Sequence, residues 1–295
     1  MKQLKRLSEL IFITVFVIFL PYNGYSQSYL SEDTDTTGSQ NKTSSTSANS
    51  LYLGAGAGSN LIYLGSIISR TQPFTFASLT YAFNNELSVS VSGVHLPGIY
   101  PYMPFYSGSM DYSHVFNSWF DINARISGNR FASSLADSLL TSFIYGDFTL
   151  GIDSRIIYTK ITIGGMLSDE SNLYFQVRNS RYFKTTEFGK HRVFLSFDPY
   201  INVIGGTYLK SEYNTIISGG KGMEYGAKST QSSIAVSWSS HFGLIEYDIG
   251  LPVAVNMNRF RLEVEGGYVL PAYSDPELPG PKGFVFMISG SMKIF

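Results

Sequence analysis

Arg259, Arg261, Glu263 and Glu265 occupy alternate positions in NRFRLEVEGGYVLP, residues 258–271. Phe260, Leu262 and Val264 stand between them. A period of two puts the four charges on one face of a strand and the apolar side chains on the other. A row of charges along an aqueous path filters ions, and the same row in a closed interior locks into salt bridges. In a water-soluble protein the apolar face would cover a core. Against lipid the polarity inverts, and the charges turn to the interior. The segment alone admits both arrangements.

Few other residues have the chemistry for a site. The histidines are His95, His114, His191 and His241. A serine hydrolase needs a His within hydrogen-bond reach of a Ser, and a carboxylate or amide to orient the ring. His114 has Ser113 and Ser118 nearby, but HVFNSW offers no His-x-Ser pair, and an interfacial His explains it better. His241 shares a face with Ser239, as a polar pair would. His95 and Asp137 border different loops, so no protease-like acid–His pair is indicated. GAGAG at 54–58 lacks the spacing of a phosphate-binding loop, and no helix follows it. YPYMPFY, 100–106, suits aromatic belt or loop packing, with sugar binding as the rarer use of such a cluster. No catalytic, metal or cofactor constellation emerges, and no enzyme activity is expected.

The elements that must position these residues are strands. They are read at 51–66, 73–83, 86–95, 106–116, 118–129, 141–153, 155–165, 171–183, 190–207, 231–248, 252–270 and 283–295. That is about twelve, an even number. The connections alternate in length: short at 84–85, 117, 154, 184–189 and 249–251, longer at 67–72, 96–105, 130–140, 166–170, 208–230 and 271–282. The faces alternate too. Phe120, Ile122, Ala124 and Ile126 oppose Asp121, Asn123 and Arg125; Ile234, Val236, Trp238 and Phe242 oppose Ser233, Ser237, Ser239 and His241. A Lys or Arg at the lipid-facing midplane costs about 2–4 kcal/mol, which assigns the charged face to the interior. Pro199 cannot donate to a ladder and marks a bulge or break.

Dyad strands, alternating connections and the terminal GFVFMISGSMKIF resemble the outer-membrane β-barrels of Gram-negative bacteria, over residues 51–295. The resemblance implies an all-β, transmembrane, antiparallel up-and-down barrel, with short periplasmic turns and longer external loops. It also implies outer-membrane lipid as surroundings, and barrel-assembly machinery that reads the C-terminal strand. In such a barrel Phe295 would share parity with Ser289, Ser291 and Lys293 rather than with the apolar Phe284, Phe286 and Ile288. The interior would receive Glu86, Asp111, Asp121, Arg125, Asp147 and Asp153 from one arc and Lys160, Arg178, Arg192 and Asp198 from the next. Arg259, Arg261, Glu263, Glu265 and His241 complete it. An acidic arc facing a basic one sets a transverse field across a narrow pore. A narrow pore or binding channel for small polar solutes is the expected function. The alternative is a closed structural or surface-binding barrel acting through its external loops, and a barrel hydrolase ranks below both.

Composition and the N-terminus agree with this reading. The chain has 295 residues, 15% of them charged and 15% aromatic, with 21 Tyr, 22 Phe, 28 Gly and no Cys. Few charges with much Tyr and Phe suit a membrane surface with aromatic belts. Absent cysteine excludes a disulfide frame, a thiolate metal site and a lipid-acylated Cys. A formal net charge of −1 without a basic patch excludes nucleic acid as a partner. Lys2, Lys5 and Arg6 precede the apolar run Leu10–Leu20, and Gly24 and Ser26 sit where cleavage before Gln27 requires small residues. Residues 1–26 therefore read as a signal peptide, 27–50 as a disordered Ser/Thr-rich periplasmic lead-in, and 51–295 as the barrel.

Overall fold

The computed structural model describes residues 49–69, 71–84, 86–135, 142–167, 172–218, 231–275 and 280–295. The expected signal peptide and nearly all of the lead-in lie outside them. Sixteen strands follow in order: β1 (Ser50–Gly58), β2 (Ile62–Tyr63), β3 (Ser66–Ile67), β4 (Phe74–Phe83), β5 (Leu87–His95), β6 (Phe105–Asn117), β7 (Phe120–Phe131), β8 (Phe143–Asp153), β9 (Tyr158–Leu167), β10 (Asn172–Ser180), β11 (Phe183–Lys184), β12 (Phe194–Phe197), β13 (Tyr200–Ser218), β14 (Gln231–Met257), β15 (Phe260–Pro271) and β16 (Gly283–Lys293).

Nearest neighbours in sequence pair antiparallel, and β1 pairs with both β4 and β16. The sheet therefore closes on itself, and closure removes the free edges that an open sheet would carry. Twelve strands make the wall. The two short extras, β11 and β12, are continuations rather than additions. Phe183 faces Phe197 in the same register that sets Ser180 opposite Tyr200, and Phe194–Phe197 pair with β14 in line with β13. Each long strand is merely interrupted, at Arg181–Tyr182 and at Asp198–Pro199, as Pro199 predicts.

The wall separates two chemistries. Along β7, Asp121, Asn123, Arg125, Ser127 and Asn129 alternate with Ile122, Ala124 and Ile126, and only the first set turns inward. On β15, Glu263 and Glu265 are buried while Phe260, Leu262 and Val264 are exposed. The exposed band also holds Leu53, Val89, Val91, Ile161, Ile163, Ile201, Ile249 and Ile288. Water cannot cover such a band at so low a cost as lipid does, so the exterior is a membrane surface. Aromatic rings mark its ends. Phe116, Trp119 and Phe120 cluster beside the turn that joins β6 to β7, and Tyr268 packs edge-on to Phe284 near the other end.

Three features depart from the sequence reading. The first strand ends at Gly58, not at residue 66. Leu64 (φ 46°) and Gly65 (φ +81°) make a tight turn, and 59–69 folds inward with β2 and β3 as a small hairpin. The expected turn at 249–251 does not exist. β14 runs on to Met257 and the chain turns at Asn258–Arg259. Pro252 causes no break because its neighbour across the ladder is the interruption at Asp198–Pro199, where Pro252 accepts a hydrogen bond from the Asp198 N–H (3.2 Å). Finally, residues 208–218 are strand rather than loop. The C-terminal Phe295 lies past the end of β16, and its ring sits 6.5 Å from that of the outward-facing Tyr81.

Candidate functional site

The lumen is the candidate site, and it is layered. Its loop-end layer is apolar. Phe74, Val94, Leu96, Phe105, Phe131, Phe143, Tyr145, Tyr174, Ile204 and Ile245 point in from the wall, and Leu61, Tyr63 and Ile68 of the infolded segment pack among them. Phe105 and Phe131 stack at 4.5 Å. Ser69 pins the fold-in, its hydroxyl accepting from the Leu61 N–H (2.9 Å). A bulge in β14 opposite Ile204–Gly205 turns two successive residues inward, so that Ile245 joins the apolar layer and Glu246 the layer below. The lumen is thus capped at the loop end.

Beneath the cap the walls are polar, and unequal. On β1, β4, β5 and β16 many of the inward residues are small, Gly54, Gly56, Ser78, Thr80, Ser88, Ser90, Ser92 and Ser289, with Tyr52, Phe76, Met287 and Lys293 among them. The glycines let neighbouring rings lie flat, since a Cβ on Gly56 would stand 2.5 Å from the Phe76 ring. The opposite wall carries the charges. Arg125 lies beside Asp111 in a short ion pair and across the ladder from Asp147. Asp121 accepts from the Tyr158 hydroxyl (2.8 and 3.0 Å). Lys160 lies near the Tyr158 ring, and Arg178 covers the Tyr200 ring at 3.9 Å and stands 3.7 Å from Asp198. Tyr200 donates to Glu265 (2.7 Å), and Arg261 to Glu263 (2.5 Å) and Asn256 (3.3 Å). Asn202 donates to Asp248 (2.8 Å) and accepts from Gln176 (2.9 Å).

The sequence-derived set divides under this geometry. Asp111, Asp121, Arg125, Asp147, Lys160, Arg178, Arg261, Glu263 and Glu265 are brought together on the inner wall. Arg259 stands in the β14–β15 turn and is exposed, because that turn falls at 258–259. Arg192 lies in the turn before β12 at φ 51° and pairs outside the wall with Glu187 (2.6 Å), whose hydrogen bond raises its pKa further above the ordinary arginine value. Glu86 sits in the β4–β5 turn against His114 (2.9 Å). His241 is exposed above the barrel wall, with Ser239 (2.9 Å) and Glu212 (3.8 Å) around its Nε2. There the carboxylate bonds the serine (2.6 Å) rather than the far ring nitrogen, which is not the order of a hydrolytic relay.

Sequence reading missed Glu246 and Asp248, both buried on one face of β14. Their signal, E-x-D beside an apolar run, was masked by the bulge at Ile245. Glu246 Oε2, Asp248 Oδ1, Asp147 Oδ1 and Glu265 Oε2 have no hydrogen-bond partner among the described residues. The charge pattern is therefore a basic stripe, Lys160 and Arg178, between two acidic arcs on β6–β8 and β14–β15. Among the described residues no group of three or more His, Asp or Glu is placed to hold a metal ion.

A closed antiparallel wall with an apolar exterior and a charged interior defines the class: an outer-membrane-type β-barrel. No protein-family model matches the chain, and no curated protein does. Solved structures similar to it include a bacterial polysaccharide outer membrane secretin (5% identity, TM-score 0.40, 84% of this chain and 99% of that one). Others are the β domain of the Bordetella autotransporter Brka (9%, 0.35, 84% and 100%) and CdiB from Acinetobacter baumannii (11%, 0.30, 83% and 60%).

Proposed function

We propose that this barrel resides in the bacterial outer membrane and is a gated narrow passage for small polar solutes, closed at its loop end by residues 59–69. The observation that carries the reading is the contrast between the apolar cap and the polar lumen under it. Carboxylates buried without full partners cost stability, and a purely structural barrel is cheaper to fill with neutral or apolar side chains. A hydrated path for solutes gives the charges a use. The path runs along the Gly/Ser strip of β1, β4 and β5, flanked by the two acidic arcs and facing the basic stripe of β9 and β10, and the excess of carboxylates favours cations. No enzymatic step is assigned to it. Its partners on this reading are the surrounding lipid, the solute and the assembly machinery.

The test is conductance of the refolded barrel in a planar bilayer, against a variant in which residues 62–67 are replaced by a short Gly-Ser link. Wild type is expected to be mostly silent. The variant is expected to show steady, cation-selective steps, with selectivity falling in Glu263→Gln/Glu265→Gln. A variant that folds, judged by heat-modifiable gel migration, yet stays silent overturns the passage. A second reading is favoured by the β13–β14 hairpin, which rises beyond its neighbours: a closed barrel that binds a partner through this ribbon.

A further inference from the structure

The outer face carries a groove of about 810 Å³ crossing β13, β14, β15 and β16. It lies on the lipid side, because its walls are the outward residues Ile201, Ile249, Leu251, Tyr268, Phe284 and Phe286. Its floor dips at Gly266, where an added Cβ would meet nothing within 4 Å. The groove is almost wholly apolar except at one end. There Ile156 and Ile157 of the β8–β9 turn meet Asn179 and Arg181.

That end has a charge. Arg181 extends β10 with outward parity, and among the described residues its guanidinium has one long ion pair, to Asp153 (3.9 Å). Arg155, exposed in the adjacent turn, is held by its own N–H to the same Asp153 oxygen (2.7 Å). Asp153 thus holds the Arg181 guanidinium and the backbone of Arg155 at the turn-side rim. The first and last strands also end on this side, with β1 beginning at Ser50 and β16 ending at Lys293.

We infer that this groove is a binding site for an anionic glycerophospholipid of the turn-side leaflet, its acyl chain along Ile249, Gly266 and Phe286 and its phosphate on Arg181 and Arg155. Arginine pairs phosphate through two donors at once, which separates it from the neutral band above. A groove of this size accepts a flexible apolar chain that a smooth barrel wall would only border. The inference rests on the barrel's place in a membrane and not on whether its lumen conducts.

Native mass spectrometry of the barrel released from phosphatidylethanolamine vesicles, with and without phosphatidylglycerol, tests it. Wild type is expected to retain one phosphatidylglycerol in preference to phosphatidylethanolamine. Arg155→Gln/Arg181→Gln should lose the preference, and Gly266→Phe, which fills the floor from outside, should lose the bound lipid. Both variants touch only the exterior, so heat-modifiable migration should stay as in wild type. Equal retention of the two lipids, unchanged retention in either variant, or a dimer mass in place of bound lipid would each overturn the site.

Discussion

Arg125 and Glu246 show how differently two charges of one lumen are supported. Arg125 is enclosed by Asp111 and Asp147, its Nε donating to Asp111 while Ser109 donates to the same carboxylate (2.9 Å). Removing the guanidinium leaves two carboxylates uncompensated in a low-dielectric interior. Arg125→Ala should therefore cost about 3–5 kcal/mol, read as a lower urea midpoint for unfolding in detergent. Glu246 has the opposite balance. It is 3% exposed, two residues from Asp248 on the same face, and its Oε2 has no partner among the described residues. Glu246→Gln removes a like-charge repulsion at nearly constant volume. It should raise the midpoint, by about 1 kcal/mol. Equal effects of the two substitutions would mean that the lumen is wet enough to screen both. The same contrast explains what sequence could see. Arg125 announces itself by strict alternation with Ile122, Ala124 and Ile126; Glu246 follows Ile245 directly, and adjacency of two inward residues is visible only once the bulge is known.

At the scale of elements, closure depends on the β1–β16 seam, where Gly56 pairs with Ser289 and Ala57 with Ile288. A side chain on Gly56 would strike the Phe76 ring and the Ile288 carbonyl oxygen, both 2.5 Å from its Cβ. The carbonyl belongs to the ladder and cannot move aside. Gly56→Val should cost about 1–3 kcal/mol and weaken the compact, heat-modifiable band on gels, whereas outward Ala57→Val should leave it intact. A silent Gly56→Val would show that the seam can spread. The GAGAG motif is thus a packing device with glycine in and alanine out. All twelve wall strands were legible from period-two patterning, because lipid outside and polar groups inside impose it on each strand alone. The misplaced turn at 249–251 and the overlong first strand have another origin. Pro252 is tolerated through a register partner 54 residues earlier in the chain, Asp198, and LIYLGSII leaves the wall because an apolar layer awaits it inside. Both are long-range facts that local alternation does not encode.

Over the whole molecule, the wall is uneven in height. β10 supports β13 as far as Gly206, and β15 supports β14 as far as Glu246. Above those rows the ladder of Thr207–Ser218 is with Gln231–Phe242, a ribbon of roughly 40 Å at the usual rise per residue. Two-stranded ribbons are marginal in water unless something packs on them. Here the β15–β16 loop does so: Tyr273 stacks on Tyr208 at 4.6 Å, and Asp275 accepts from the Ser211 N–H (2.7 Å) and hydroxyl (2.9 and 3.0 Å). Burial, with Glu246 and Asp275 nearby, pushes the Tyr273 hydroxyl above its ordinary pKa, so it stays neutral and stacked at physiological pH. Among the described residues, barrel and ribbon are therefore coupled by this loop, by the two strands themselves and by contacts of β10 at the ribbon's base, where Leu173 meets Thr207 and the Phe175 ring lies 6.0 Å from that of Phe242. Replacing residues 213–236 by a two-residue Asn-Gly turn should leave the barrel folded and equally heat-modifiable, because Tyr208, Ser211 and their partners remain. Asp275→Ala in the full-length chain should instead free the ribbon, seen as faster tryptic cleavage at Lys210 with no change in the barrel band. If the shortened chain fails to assemble, the ribbon is part of the folding unit, and the division of labour between a self-sufficient wall and a projecting binding element does not hold.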